Sequence, residues 1–392
     1  MLLKDFLIKE YTNSEIRDFA TICELSNFSR CSKARLADLV SKKFCSEEIF
    51  RKRMAPLTDE QLELFRKAVK APFYICPDEF PDAVILITHN LGSFDEETDD
   101  LFIFEDVAKA FKMIDDDDFK EDQSKKGWLV KCLDFATKYY GVVPVEVIYE
   151  IYSQKCTGTV EEMTELILEI PLDMTGQMYI PIDEVELNSL LEDNPLYSEY
   201  GLLVDSNLIE YEEVDDLIDY QMDIDFFIPS AKLVEALHKD GYESSSLEYK
   251  RFEKLLCREL KYNKDESRLW CKHMWGIVNL GATPEEIIEE IQDDLRKDHI
   301  EDLFTQDILS ELIRTCTLAY NSTRTVENRG HALGEQKCKD LEIKREMLDD
   351  ELFTSEMSSD ELMEAMSFFE DMLEDIDFDE ECMISDDDLP FT

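Results

Sequence analysis

The stretch YNSTRTVENRGHALGE, Tyr320 to Glu335, sets two arginines, a glycine and a histidine in a chain that is carboxylate-rich almost throughout. Arg324, Arg329 and His331 have the chemistry of an anion site, because guanidinium forks hold phosphate or carboxylate groups bidentately. The same residues also suit the end of a helix. Tyr320 closes an apolar helical stripe, cations in a last turn complement the helix dipole, and Gly330 can take the left-handed conformation that ends such segments. The helix-end rules favour the turn, with anion binding as the competing role.

Metal and catalytic chemistry find less support. Cys257, Cys271 and His273 form one conceivable ligand set, and Cys316, His331 and Cys338 another. Neither has paired ligands at the short spacing of structural zinc sites, so no metal and no cofactor is expected. The aspartate runs do not follow the EF-hand pattern with its central glycine and terminal glutamate. There is no nucleophile elbow, phosphate-binding loop, dinucleotide fingerprint or H-E-x-x-H, and the five histidines, His89, His238, His273, His299 and His331, are dispersed. With 92 Asp and Glu residues, neighbouring carboxylates arise by chance and do not mark a general acid and base. The expectation is a protein that is not an enzyme.

Two further sets concern binding. Arg30, Lys33, Arg35, Lys42 and Lys43, followed by Arg51, Lys52 and Arg53, could track phosphates. The competing reading is a solvated helix face, favoured because no aromatic residues interleave the cations for base stacking. At the other end, Leu362, Met366, Phe369, Leu373 and Ile376 fall at spacings of four, three, four and three, one apolar seam on an acidic helix. Such a helix docks into a groove on a basic partner or folds back on its own chain.

The elements that must position these residues follow from composition and periodicity. At 392 residues and 44% hydrophobic content, the chain is long enough for several compact units. Apolar runs such as AVILI at Ala83 to Ile87 are far too short to span a membrane. The N-terminal MLLKDFLIKEY lacks the apolar core of a secretory signal, and the 11 cysteines are odd in number with no C-x-x-C, so a cytoplasmic protein with reduced thiols is expected. The formal net charge is -51. Residues 1–70 hold 14 Lys and Arg against 11 Asp and Glu, whereas the rest holds 27 against 81. Most of the surface should repel nucleic acid and anionic membrane and attract basic proteins.

The fold class expected is mainly α, a multi-domain helical protein with small winged-helix-type β hairpins and an acidic C-terminal tail. Residues 1–90 read as a helical head. Ser14 caps one helix, with Ile16, Phe19, Ile22 and Cys23 inward, and the next buries Leu36, Leu39 and Val40. A capping box at Thr58 to Gln61 opens a later helix, and strand-like FYIC at Phe73 and VILIT at Val84 form a possible wing. Residues 91–127 read as an acidic linker with one helix, FEDVAKAFKMI. Residues 128–225 give three helical segments and then two strand-like ones, the order of a winged helix. The third helix, TVEEMTELILEI, carries Glu161, Glu162, Glu165 and Glu169 with no cation, which excludes it as a DNA reader. Residues 226–345 read as all helix, with Leu256, Leu260, Leu269, Trp270, Trp275, Ile287, Ile291, Leu309 and Leu312 as core, and 346–392 as the tail.

Asn321, Thr323, Arg324, Asn328, Arg329, Gly330, His331 and Glu335 match a phrase at the end of the helical region in uncharacterised bacterial proteins, mostly from Firmicutes. The chain thereby resembles YecA/SEC-C-like proteins that carry a SAP-like or Rho N-terminal-like head. SKARLADLV at Ser32 to Val40 looks like the second helix of such heads, and FFIPSAKLVEALHKDGYE is similar to the start of that group's helical domain. The SEC-C cysteine cluster is missing after Glu335, so the zinc binding implied by that motif does not carry over. Taken together, the expected function is binding of a basic protein partner through the acidic surface and tail. The alternatives are a nucleic-acid mimic acting on a nuclease, polymerase or defence factor, and weak nucleic-acid binding by the head.

Overall fold

The computed structural model describes residues 1–335 apart from 77–78, 96, 182–195, 212, 222–223 and 298–304. Residues Met1–Gly334 belong to one compact unit, inside which the apolar side chains form two large cores and a small third one. The first core is built by α1 (Leu3–Glu10), α2 (Asn13–Ile22), α3 (Lys33–Phe44), α4 (Glu47–Met54), α5 (Asp59–Lys70), β1 (Phe73–Tyr74), α6 (Phe80–Thr88), β2 (Gly92–Phe94), β3 (Asp100–Ile103) and α7 (Glu105–Ile114). Its centre holds Leu7, Phe19, Leu36, Val40, Phe44, Phe50, Phe65, Phe104 and Phe111. The start signals are local. Ser32 accepts from the Arg35 N–H, and Thr58 and Gln61 form a reciprocal capping box.

Several local expectations change. The cap of α2 is Thr12, reciprocated by Glu15, so Ser14 lies inside the first turn, and Ile22 is exposed. FYIC does supply β1, but VILIT lies in α6. Pro81 sits in the first turn of that helix, where its missing N–H costs nothing, and Ala83 and Leu86 at helical spacing are buried against the core. Packing of that face overrides the strand preference of the β-branched residues.

Residues 91–127 are not a linker. They form β2, β3, α7 and the first half of α8 (Asp117–Tyr139), with Phe104, Val107, Phe111 and Phe119 buried. The aspartate run starts a helix because Asp116 accepts from the Phe119 N–H at 2.8 Å, and Asp117 and Asp118 lie in the first turn, where the helix dipole favours negative charge. Pairs one turn apart, Glu121 with Lys125 at 2.7 Å and Asp122 with Lys126 at 3.0 Å, offset the repulsion further along. Gly127 has a packing reason. A Cβ there would lie 2.8 Å from the Leu57 carbonyl oxygen, so the helix can cross the α4–α5 connection only at a glycine. Helix α8 thus places Phe119 in the first core and Trp128, Leu129, Cys132 and Leu133 in the second.

Beyond α8 come β4 (Val142–Pro144), α9 (Val145–Tyr152), α10 (Val160–Glu169), a 3-10 turn at Leu172–Met174, β5 (Gln177–Ile180), β6 (Leu202–Asp205), α11 (Ser206–Glu210) and α12 (Val214–Gln221). Both sheets are antiparallel and three-stranded, with the last strand in the middle: β1–β3–β2 and β4–β6–β5. In the second sheet Val142 lies opposite Val204, and Tyr179 opposite Leu203.

Five helices complete the second core: α13 (Ala231–Asp240), α14 (Leu247–Arg258), α15 (Lys264–Val278), α16 (Pro284–Lys297) and α17 (Gln306–Asn321). The architecture is mainly helical with two small sheets, as the sequence pattern predicts. Leu256, Leu260, Trp275, Ile287, Ile291 and Leu312 are buried in it, but Leu269 is exposed, because α15 turns Cys271, Met274 and Trp275 inward instead.

Candidate functional sites

The Arg324–His331 stretch is a tight turn that follows α17. Arg324 bridges Ala332, the Gly330 N–H reaches the Thr325 carbonyl at 3.0 Å, and Arg329 and Gly330 both take left-handed backbone, φ 46° and 79°. The three expected anion ligands each meet a different partner. They spread along residues 224–227 of the connection between α12 and α13. The Arg324 guanidinium lies 3.8 Å from the Phe227 ring centroid, donates to the Gly330 carbonyl at 3.1 Å and pairs with Glu243 at 3.4 Å. Arg329, fully buried, stacks over Phe226 at 4.5 Å, donates to the Ile224 carbonyl at 2.6 Å and reaches Gln221 at 3.4 Å. Burial pushes its pKa down to about 10. The Nε2 of His331 lies 3.1 Å from the Asp225 carbonyl oxygen.

Around the turn the remaining polar groups knit separate elements together. Gln221 donates to the Tyr140 carbonyl at 3.0 Å and to the Val326 carbonyl at 2.5 Å. The Tyr140 hydroxyl donates to the Phe227 carbonyl, Tyr249 and Thr323 share a hydrogen bond of 2.7 Å, and the Asn279 amide donates to the Arg324 carbonyl at 3.3 Å. The stretch therefore ties α8, α12, α14 and α15 to the end of α17.

The basic set of the head is partly neutralised by its own helix. Asp38 collects Lys4 at 3.6 Å, Arg35 at 3.3 Å and Lys42 at 3.0 Å, and Lys43 reaches Glu48 at 3.6 Å. Arg30 is exposed and Lys33 half-buried at the start of α3. Arg51 grips Asp116 through both guanidinium nitrogens at 3.1 and 2.8 Å, and Lys52 pairs with Glu24 at 2.8 Å. This is the pattern of a charge-balanced helix face.

Two polar joints between the cores have no counterpart in the sequence reading. In one, Arg53 on α4 donates to both oxygens of Asp173, at 2.6 and 2.9 Å, with the His89 ring 3.6 Å away. Arg53 and His89 side chains are each 5% exposed, Asp173 40%. Burial alone would raise the Asp173 carboxyl, but the His89 imidazole and the Arg53 guanidinium outweigh it and hold it far below the usual carboxylate range. A cavity of about 90 Å³ beside them is lined by Ile22, Glu24, Ile49, Lys52, Arg53, Pro171 and Asp173. Burial pushes the nearby Cys23 thiol up to about 12, so it is not a thiolate nucleophile at neutral pH.

In the other joint, buried Lys131 on α8 pairs with Glu60 on α5 at 2.7 Å, and beside it, on the second-core side, Asp134 on α8 lies 3.0 Å from His238 on α13. Burial would raise Asp134, yet His238 and Lys138 hold it down at about 2. Asp82 on α6 behaves oppositely, because its burial outweighs the help of His238, Gln61 and Lys131 and its pKa rises. A carboxyl whose folded pKa lies above the unfolded value of about 3.9 destabilises the fold when ionised, and this penalty fades as pH falls toward that value. Asp82→Asn is therefore expected to raise the melting temperature at pH 7, with the gain over wild type shrinking toward pH 4. Equal gains at both pH values would show that Asp82 carries no such penalty. These joints escape sequence reading because their partners lie 71, 104 and 120 residues apart. No spacing rule reaches that far.

On α10 the side facing water is acidic. Thr159 and Glu162 form its capping box, Met163 and Ile167 are buried, and Glu161, Glu162, Glu165, Leu168 and Glu169 are exposed. Glu161 accepts from the Tyr200 hydroxyl at 2.7 Å, and Glu169 receives Lys126 at 2.8 Å. Among the described residues no group of three or more His, Cys, Asp or Glu side chains is placed to hold a metal ion, and no helix is long and apolar enough to cross a membrane. The tail residues Leu362, Met366, Phe369, Leu373 and Ile376 lie outside the described residues. No family model matches the chain, and no curated protein or solved structure matches it.

Proposed function

We propose that this chain is a non-enzymatic interaction protein that binds a basic protein partner. The observation that carries the reading is α10. The order α8, β4, α9, α10, β5, β6 with strands paired β4–β6–β5 supports reading this region as a winged helix, with α10 as the counterpart of the helix that enters a DNA groove. Its water-facing side presents Glu161, Glu162, Glu165 and Glu169 where a DNA reader needs cations. Phosphate is repelled there, and a cationic protein surface is attracted. The SAP-like head adds little to nucleic-acid affinity in this reading, because Arg35, Lys42 and Lys43 pair with its own carboxylates. The acidic tail after Leu348, with its apolar seam, supplies a second contact.

A nucleic-acid mimic is the second reading, favoured by carboxylates exposed on ordered helices, as with Asp215, Asp216 and Asp219 on α12. Affinity capture from native lysate with mass spectrometry, comparing the full chain with one ending at Leu348, separates the two. A basic partner held by both chains and not displaced by added nucleic acid is expected if α10 carries recognition, whereas one held by the full chain and lost on truncation moves recognition to the tail. The same nucleic-acid-binding protein held by both and displaced by added DNA or RNA assigns it to the folded acidic surface as a mimic. Capture of no basic protein by either sinks both readings.

A further inference from the structure

The strip made by α10 and the turn after it leaves large apolar side chains in water beside its carboxylates. Leu168 and Leu172 are 63% and 69% exposed. At 3.6 residues per turn, Glu161, Glu165 and Leu168 fall on one side of α10, with Glu162 and Glu169 flanking them. Burial of Met163 and Ile167 in the second core fixes that side toward solvent. Single exposed leucines are ordinary on protein surfaces, but an apolar strip rimmed by charge has the make-up of a docking face. Of the rim, Glu161, Glu162 and Glu169 already accept hydrogen bonds or an ion pair, whereas Glu165 has neither among the described residues.

We infer that this strip receives a basic amphipathic helix of a partner protein, its apolar side chains meeting Leu168 and Leu172 and its lysines or arginines meeting Glu161, Glu165 and Glu169. The inference rests on the reading proposed above and narrows it to one surface. Charge selects the occupant. The chain as a whole carries -51, so a second copy, its own acidic tail, a nucleic acid or an anionic membrane would bring like charge against the strip. A cationic helix with one apolar face satisfies both the leucines and the carboxylates.

The test uses the full chain and a labelled synthetic peptide of about 18 residues with leucines on one helical face and lysines on the other. A scrambled peptide of the same composition, with no single face, is the control. Fluorescence anisotropy at low salt is expected to show the amphipathic peptide binding roughly tenfold tighter than the control. L168S/L172S, with circular dichroism unchanged, should abolish that preference, while a chain ending at Leu348 should keep it. Retention of the preference in L168S/L172S, or its loss on truncation, overturns the docking face. Salt-sensitive binding of both peptides in that case leaves the general acidic-surface reading standing. If the wild-type chain binds neither peptide at low salt, the reading falls together with the inference.

Discussion

Arg329→Ala is expected to lower stability by about 3–5 kcal/mol, at the upper end of the range for single substitutions. Three losses combine. The truncation leaves a void where a fully buried side chain stood, strips Phe226 of its stacked guanidinium, and orphans the Ile224 carbonyl that accepts from Nη1 at 2.6 Å. One gain opposes them, because a guanidinium held with its pKa pushed down is a charge paying for its own burial. The losses win since the turn around Arg329 ties several elements together, so the damage spreads beyond one contact. Arg329→Lys should recover little, because an ammonium cannot stack flat on Phe226 while donating along residues 221–224. Thermal and urea unfolding followed by circular dichroism measure both variants. A loss below about 1 kcal/mol for the alanine variant would show that the turn is not a structural hub.

Arg53→Ala is expected to cost about 2–3 kcal/mol, less than a fully buried pair would lose, because the Asp173 side chain is 40% exposed and can turn to water. The effect depends on the partner. Once Asp173 is replaced by Asn, removing Arg53 should cost much less, and the double-mutant cycle reads the difference as coupling between the two cores. The pH dependence carries a definite sign. Asp173 has a folded pKa below its unfolded value, so its contribution is fully present above that value, about 3.9, and is lost as pH falls through the folded pKa. The stability gap between wild type and Asp173→Asn should therefore be widest near neutrality and narrow below about pH 4. A gap that holds constant down to the acid transition, or additive single effects in the cycle, would show that the pair does not couple the cores.

Much of the helical framework was legible in the sequence, since its signals are local. The capping box at Thr58 and Gln61 and the five helices between 231 and 321 follow from periodicity and end residues that act within one or two turns. Misreadings arose where local preference and packing disagree. VILIT has strand composition, yet Ala83 and Leu86 turn it into a buried helix face. The aspartate run before Lys126 has linker composition, yet Asp116 as a cap and ion pairs one turn apart make it the start of α8. Of the candidate sites, the acidic side of α10 was readable, because a helix with four glutamates and buried Met163 and Ile167 has one possible wet side.

By itself, then, the sequence determined the mainly helical content, the positions of many of the helices and the overwhelming negative charge, all of which depend on residue type and near neighbours. Only the tertiary structure decided that α8 runs from one core into the next, that Arg324 and Arg329 lie on Phe227 and Phe226, and that Arg53 meets Asp173 across 120 residues of chain. A guanidinium has no preference among 92 carboxylates until the packing of apolar faces brings one within hydrogen-bond reach and excludes water from the pair.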